Sequence, residues 1–180
     1  WQTLGVAGSS TASMLAYQGK RHLHKQVSQR KPDLVVYETG GNELGYHTLA
    51  EGDGEQYQAN YLKALHKIWD GAPEGTPCLI VSPIDQATRV RGQITSKPTI
   101  QKMVEVQRRA AQEAGCAFWD AHHAMGGEGA FQRWLQHDPP YAWSDLIHLS
   151  TEGLDLMGDS LADAILDAYD QWQSTRVGSL

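Results

Sequence analysis

Two short stretches of this 180-residue chain combine residue types that can do chemistry. In "SDLIHLS", residues 144–150, Asp145 and His148 stand three apart in a loop that leads into a helix. A carboxylate at that spacing can accept from the imidazole Nδ1–H, which fixes the tautomer and leaves Nε2 as a general base. The same letters also describe a surface loop with a helix cap, so the pair alone is a weak signal. In "YETGGNELG", residues 37–45, a strand runs into Gly40-Gly41-Asn42-Glu43. Paired glycines permit a sharp turn and close approach to a ligand, which makes Gly41 a candidate substrate contact. The Asn42 side-chain amide could donate to a developing oxyanion. The alternative is an ordinary glycine-rich turn. "GVAGSSTAS" sets Gly8 at another strand end just before a helix, where a backbone N–H can face an anion.

These residues need elements to hold them. Four strand-like runs alternate with helical stretches: residues 2–8, the weakest, then 33–40, 77–85 and 116–123. Runs apolar on both faces and closed by Gly, Pro or Asp are expected of buried parallel strands. Between them, residues 11–30 carry Met14, Leu15, Leu23 and Val27, and residues 56–69 carry Tyr57, Tyr61, Leu65 and Ile68 at helical spacing. A third helix starts with Pro98 in its first turn and stops at Gly115. The last begins at a Ser150 or Thr151 cap. Alternating strands and helices with short joins predict an α/β chain, a three-layer α/β/α sandwich around a parallel sheet. In such sheets function gathers at the carboxyl ends of the strands, which is where the Gly8, Asn42 and His148 segments fall.

In that order and at those strand ends, the three blocks resemble the SGNH (GDSL-type) hydrolases. The likeness covers nearly the whole chain and is nearest to the branch of bacterial peptidoglycan O-acetylesterases. That branch typically has threonine at the position of Gly41. The resemblance implies His148 as general base, Asp145 as its orienting acid, and Gly8 N–H and Asn42 Nδ2 as oxyanion donors. It implies that the imidazole of His148 and the amide of Asn42 meet along one rim of the sheet. It calls for no cofactor, and for an acetylated polysaccharide as substrate. It also implies an extracytoplasmic location: periplasmic, cell-envelope or secreted.

The family's nucleophilic serine sits in a G-D-S-x-S block after the first strand, upstream of the Gly8 block. Here the letters G-D-S-L occur at residues 158–161, but Leu154, Met157, Leu161 and Ile165 place them within a helix. Ser160 follows His148 by 12 residues, and the helical rise would carry it about 15 Å away. A nucleophile needs a strand feeding a tight turn, so Ser160 does not qualify. Ser9 and Ser10 read better as helix caps than as nucleophiles. The chain opens on Trp1 in what reads as a strand. The expectation is a single SGNH-type domain over residues 1–180, the C-terminal part of an interrupted one. A preceding segment or chain would supply the first strand and the serine, and in this branch it can bring a carbohydrate-binding module.

Composition narrows the alternatives. A net charge of −6 argues mildly against nucleic acid as a partner, and no apolar run is long enough for a transmembrane segment. Eight histidines form no metal-ligand pattern. Cys78 and Cys116 make either one bridge or two buried thiols at strand starts, with the thiols preferred. Residues 121–143 read either as a substrate-facing wall, with Trp134, Tyr141 or Trp143 stacking on a sugar, or as a packed excursion with buried aromatics. Asp85 reads as a strand-end turn residue. Beside the esterase stand two further readings: an O-acetyltransferase of the same fold, and a non-catalytic polysaccharide-binding protein.

Overall fold

A computed structural model describes residues 2–5, 8–17, 20–45, 49, 52 and 54–177. They fall into two compact units, one from residues 1–84 and 97–122, the other from residues 85–96 and 123–180.

The first unit contains a parallel sheet. Strand β1, Val35–Glu38, pairs with β2, Cys78–Val81, which pairs with β5, Ala117–Trp119, in the order β1-β2-β5. β2 is buried at every position, as its uninterrupted Cys-Leu-Ile-Val run requires of a central parallel strand. β1 alternates instead, with Val35 and Tyr37 buried and Glu38 exposed. Helix α1, Thr11–Tyr17, α2, Lys20–Arg30, and α3, Glu55–Trp69, pack together, and α4, Ile100–Ala114, lies on α3, β2 and β5. The buried stripe of α3 is Tyr57, Tyr61, Ala64 and Leu65, the spacing of one helical face. It meets Tyr37, Ile80, Ile100, Met103 and Val106 in the core. Each large apolar side chain buried there contributes about 1.5–3 kcal/mol. Gly115, at φ 72, ends α4 in the left-handed conformation that glycine adopts without strain.

The second unit begins with a hairpin, β3, Ala87–Val90, and β4, Gln93–Ser96, antiparallel across Arg91 and Gly92. Short helices α5, Ala121–Met125, and α6, Ala130–Leu135, follow β5, and the long α7, Thr151–Val177, closes the chain. Asp85 is fully buried and pins this unit: its Oδ2 accepts from Phe131 N–H at 3.0 Å and from Ser96 Oγ at 2.9 Å. It joins the hairpin to the start of α6, a structural task in keeping with a strand-end residue.

Four expectations need correction. Residues 2–5 and 8 form no strand, while Trp1, Val6 and Ala7 lie outside the described residues. The helical stretch 11–30 is two helices, with residues 18–19 outside the described ones. Residues 121–123 belong to α5, because β5 stops at Trp119. Cys78 and Cys116 form a disulfide. The register Leu79↔Ala117 sets the preceding residues of two adjacent parallel strands side by side, with Cα atoms 4.9 Å apart, inside the span a disulfide bridges.

Candidate active site

In the second unit, residues 141–150 form a tight reversal ahead of α7. Ala142 and Leu149 make an antiparallel bridge, flanked by Trp143 N–H to His148 O at 2.8 Å and Ser150 N–H to Tyr141 O at 3.0 Å. At its tip Leu146 has φ 67, an uncommon conformation for a side chain branched only at Cγ and costing of order 1 kcal/mol. The surroundings hold it there: Leu146 is buried, its N–H reaches Trp143 O, and its carbonyl accepts from Ala87 N–H at 2.9 Å. The first turn of α7 presses against the base of the reversal. Ser150 caps it by accepting from Gly153 N–H at 3.2 Å, and a Cβ on Gly153 would lie 2.0 Å from Tyr141 O. Glycine is required at 153 by that contact.

This frame aims one carboxylate at one imidazole. Asp145 Oδ1 accepts from the backbone N–H groups of Ile147 and His148, both at 2.9 Å, and Oδ2 lies 2.7 Å from His148 Nδ1. The backbone N–H of His148, then its side chain, lower the Asp145 pKa from the ordinary 3.8 to about 2. An acceptor held ionised requires the proton on Nδ1, so Nε2 carries the lone pair. Both side chains are exposed to solvent. The arrangement can take a proton from a hydroxyl and hold the resulting imidazolium against a negative charge.

The aromatic candidates divide. Trp134 is half-buried and edge-on to Tyr141 at 5.6 Å, and Tyr141 stacks on His137 at 3.8 Å, so these rings are used in packing. Trp143 is 56% exposed and can offer a face to a ligand.

In the first unit, the turn after β1 carries Gly41 and Asn42, and the segment ahead of α1 carries Gly8. Gly40 has φ 123, and a Cβ there would come within 2.6 Å of the buried Gln107 Nε2, so only glycine fits. Gly41–Glu43 forms one 3-10 turn, closed by Glu43 N–H to Gly40 O at 2.9 Å. Asn42 is exposed, and its Nδ2 donates to Ser9 O at 2.9 Å. That bond uses one of the two amide hydrogens and leaves the other for an incoming acceptor. Gly8, adjacent to Ser9, is exposed with φ 71. Ser10 and Ser13 cap α1 reciprocally: Ser10 N–H donates to Ser13 Oγ at 2.8 Å and Ser13 N–H to Ser10 Oγ at 3.1 Å. Ser10 therefore caps a helix. Ser160 lies within α7, at a helical position and not in a turn fed by a strand.

Sequence reasoning gave no role to Glu43, Leu146 or Gly153. Glu43 was visible as the fourth letter of its block, and Gly153 as a glycine early in a helix. Nothing in the sequence marked Leu146.

The model of the GDSL-like lipase/acylhydrolase family matches residues 1–156. The chain belongs to this family. Its fold, a parallel sheet flanked by helices, is that of the SGNH hydrolases. A peptidoglycan O-acetylesterase superposes with a TM-score of 0.78 at 22% identity, covering 94% of this chain and 47% of its own. A lipase/acylhydrolase from Enterococcus faecalis gives 0.58 at 21% identity, covering 88% of this chain and 71% of its own. An acetyl xylan esterase gives 0.61 at 17% identity, covering 89% and 78%. At these identities the likeness is one of fold. This GDSL-family chain spans about half the length of the O-acetylesterase. No curated protein matches it in sequence.

Proposed function

We propose that the chain carries the acid–base pair and two oxyanion donors of a serine esterase that removes O-acetyl groups from a carbohydrate, peptidoglycan or another polysaccharide. The carrying observation is the Asp145–His148 contact, with the carboxylate held ionised and Nε2 left as the base. Membership of an acylhydrolase family supports ester cleavage, and the O-acetylesterase and acetyl xylan esterase of like fold support an acetylated glycan as the substrate.

In the proposed cycle a serine hydroxyl from a preceding segment loses its proton to His148 Nε2 as its oxygen bonds to the acetyl carbon. The carbonyl electron pair moves onto oxygen, where Asn42 Nδ2–H and Gly8 N–H donate to it. Each such donor is worth roughly 3 kcal/mol. Collapse breaks the bond to the sugar oxygen, which takes the proton from His148. Water then attacks the acetyl-serine, again through His148, and acetate leaves. Asp145 stays ionised throughout. Trp143 and Gly41 are the proposed sugar contacts.

Three further observations favour the setting. Among the described residues β1 has a strand partner on one side alone, which leaves an edge for the strand that would bring the serine. The Cys78–Cys116 disulfide suits an oxidising, extracytoplasmic compartment. This chain covers 47% of the O-acetylesterase, which leaves part of that protein unmatched, as a further segment with a carbohydrate-binding module would require.

The test is acetate release from O-acetylated peptidoglycan and from acetylated xylan by the whole protein, with mapping of the acetylated serine. Acetate formed through an acetyl-serine supports the reading. Transfer of acetyl to an added sugar would make it an acetyltransferase, and binding without release would make it a polysaccharide-binding protein.

A further inference from the structure

Glu43 is the most deeply buried carboxylate beside the proposed oxyanion donors, and the cycle above does not use it. Its side chain has no exposed surface, and one oxygen accepts the backbone N–H of Thr11, the first residue of α1. Removing a carboxylate from water is costly unless it is well hydrogen-bonded, so this burial needs a purpose. The neighbouring residue makes a second link in the same direction: Asn42 Nδ2 donates to Ser9 O. Consecutive residues of one 3-10 turn thus grip the segment 9–11 at its two ends, one as donor and one as acceptor.

We infer that Glu43 is a positioning residue for the oxyanion donors, a strut that sets the turn carrying Asn42 against the segment carrying Gly8. This rests on the esterase reading for its consequence in catalysis, though the strut itself does not. Asn42 is exposed and can turn about its own side-chain bonds, so its contact with Ser9 cannot fix the separation of the two segments. The Glu43 link is buried and walled by rigid rings. Tyr37 and Tyr57 lie close enough for the Glu43 charge to raise their pKa values beyond what burial does, and Thr11 Oγ1 is 3.5 Å from Tyr57 Oη. Tyr61 stacks obliquely on both rings, at 5.0 and 6.0 Å. Gly40, Gly8 and the Ser10 cap give the backbone shapes, and Glu43 sets the distance between them.

The experiment compares Glu43→Ala and Glu43→Gln in the whole protein. The readouts are kcat and KM on p-nitrophenyl acetate, hydrogen exchange at the Thr11 amide, and the NMR spread of the Asn42 side-chain amide. Glutamine keeps an acceptor for Thr11, and alanine keeps none. Glu43→Ala is expected to speed Thr11 exchange, broaden the Asn42 resonance, and lower kcat by about 10- to 100-fold with KM within about threefold, the scale of a misplaced catalytic group. Glu43→Gln is expected to recover at least tenfold of that loss. If the alanine variant does not fold, the Gln variant must still show the protected Thr11 amide and the sharp Asn42 signal. An unprotected amide there, normal kcat in folded Glu43→Ala, or equal losses in both variants would overturn the strut. Failure of the esterase reading would show separately, as activity surviving His148→Ala, and would leave the two NMR readouts to decide the strut alone.

Discussion

Asp145 makes three contacts in its own loop, two of them to His148: one oxygen lies 2.7 Å from His148 Nδ1, and the other accepts from the backbone N–H groups of His148 and Ile147, both at 2.9 Å. The backbone bonds fix the carboxylate before the imidazole is considered. The side-chain contact therefore orients the ring, and the pair behaves as a unit built into one reversal of the chain.

Asp145→Ala is expected to lower kcat in the whole protein by about 10³- to 10⁴-fold, the scale seen when the orienting acid of a serine hydrolase is lost. The fold should survive, because the carboxylate is exposed and its backbone bonds are local. Steady-state kinetics with a thermal melt checks this.

The pH behaviour of Asp145 follows from its depressed pKa. Its value of about 2 lies below the ordinary 3.8, so its stabilising contribution is complete above about pH 4 and is lost as pH falls through about 2. Carboxyl-carbon NMR titration should give a midpoint near 2. A midpoint at or above 3.8 would mean that the backbone and imidazole bonds are not made in solution.

Gly153→Ala tests the frame. Alanine in a helix interior normally stabilises by about 1 kcal/mol relative to glycine. Here the added Cβ would stand 2.0 Å from Tyr141 O, a backbone atom that cannot swing away. The sign should reverse, with a loss of about 1–3 kcal/mol and a fall in kcat as the 141–150 reversal shifts. A stabilised variant would show that Tyr141 and the first turn of α7 are not so closely packed.

Much of this was legible in the sequence because the signals are periodic or punctuated. The buried stripe of α3, the cap at Ser150 and the stop at Gly115 are where spacing and residue type put them. The hairpin of β3 and β4 was not, since Thr88, Arg89, Gln93 and Thr95 carry little apolar alternation and only the Arg91-Gly92 turn, at φ 50 and 84, marks it. The disulfide depends on the register of β2 against β5, which no single strand reveals. Asp145, His148 and Asn42 could be singled out as candidates because their blocks, weak one by one, together resemble a family pattern. Glu43 could not be given a role because its meaning lies in burial, and a glutamate reads from sequence as exposed.

The central claim is that His148 is the general base of an ester hydrolase, and its most direct test is kcat of the whole protein with His148→Ala on an acetyl ester. A fall of about a thousandfold or more with an unchanged melting temperature is expected, while Asn42→Ala loses about 100- to 1000-fold. A folded His148→Ala protein that turns over at the normal rate would contradict it.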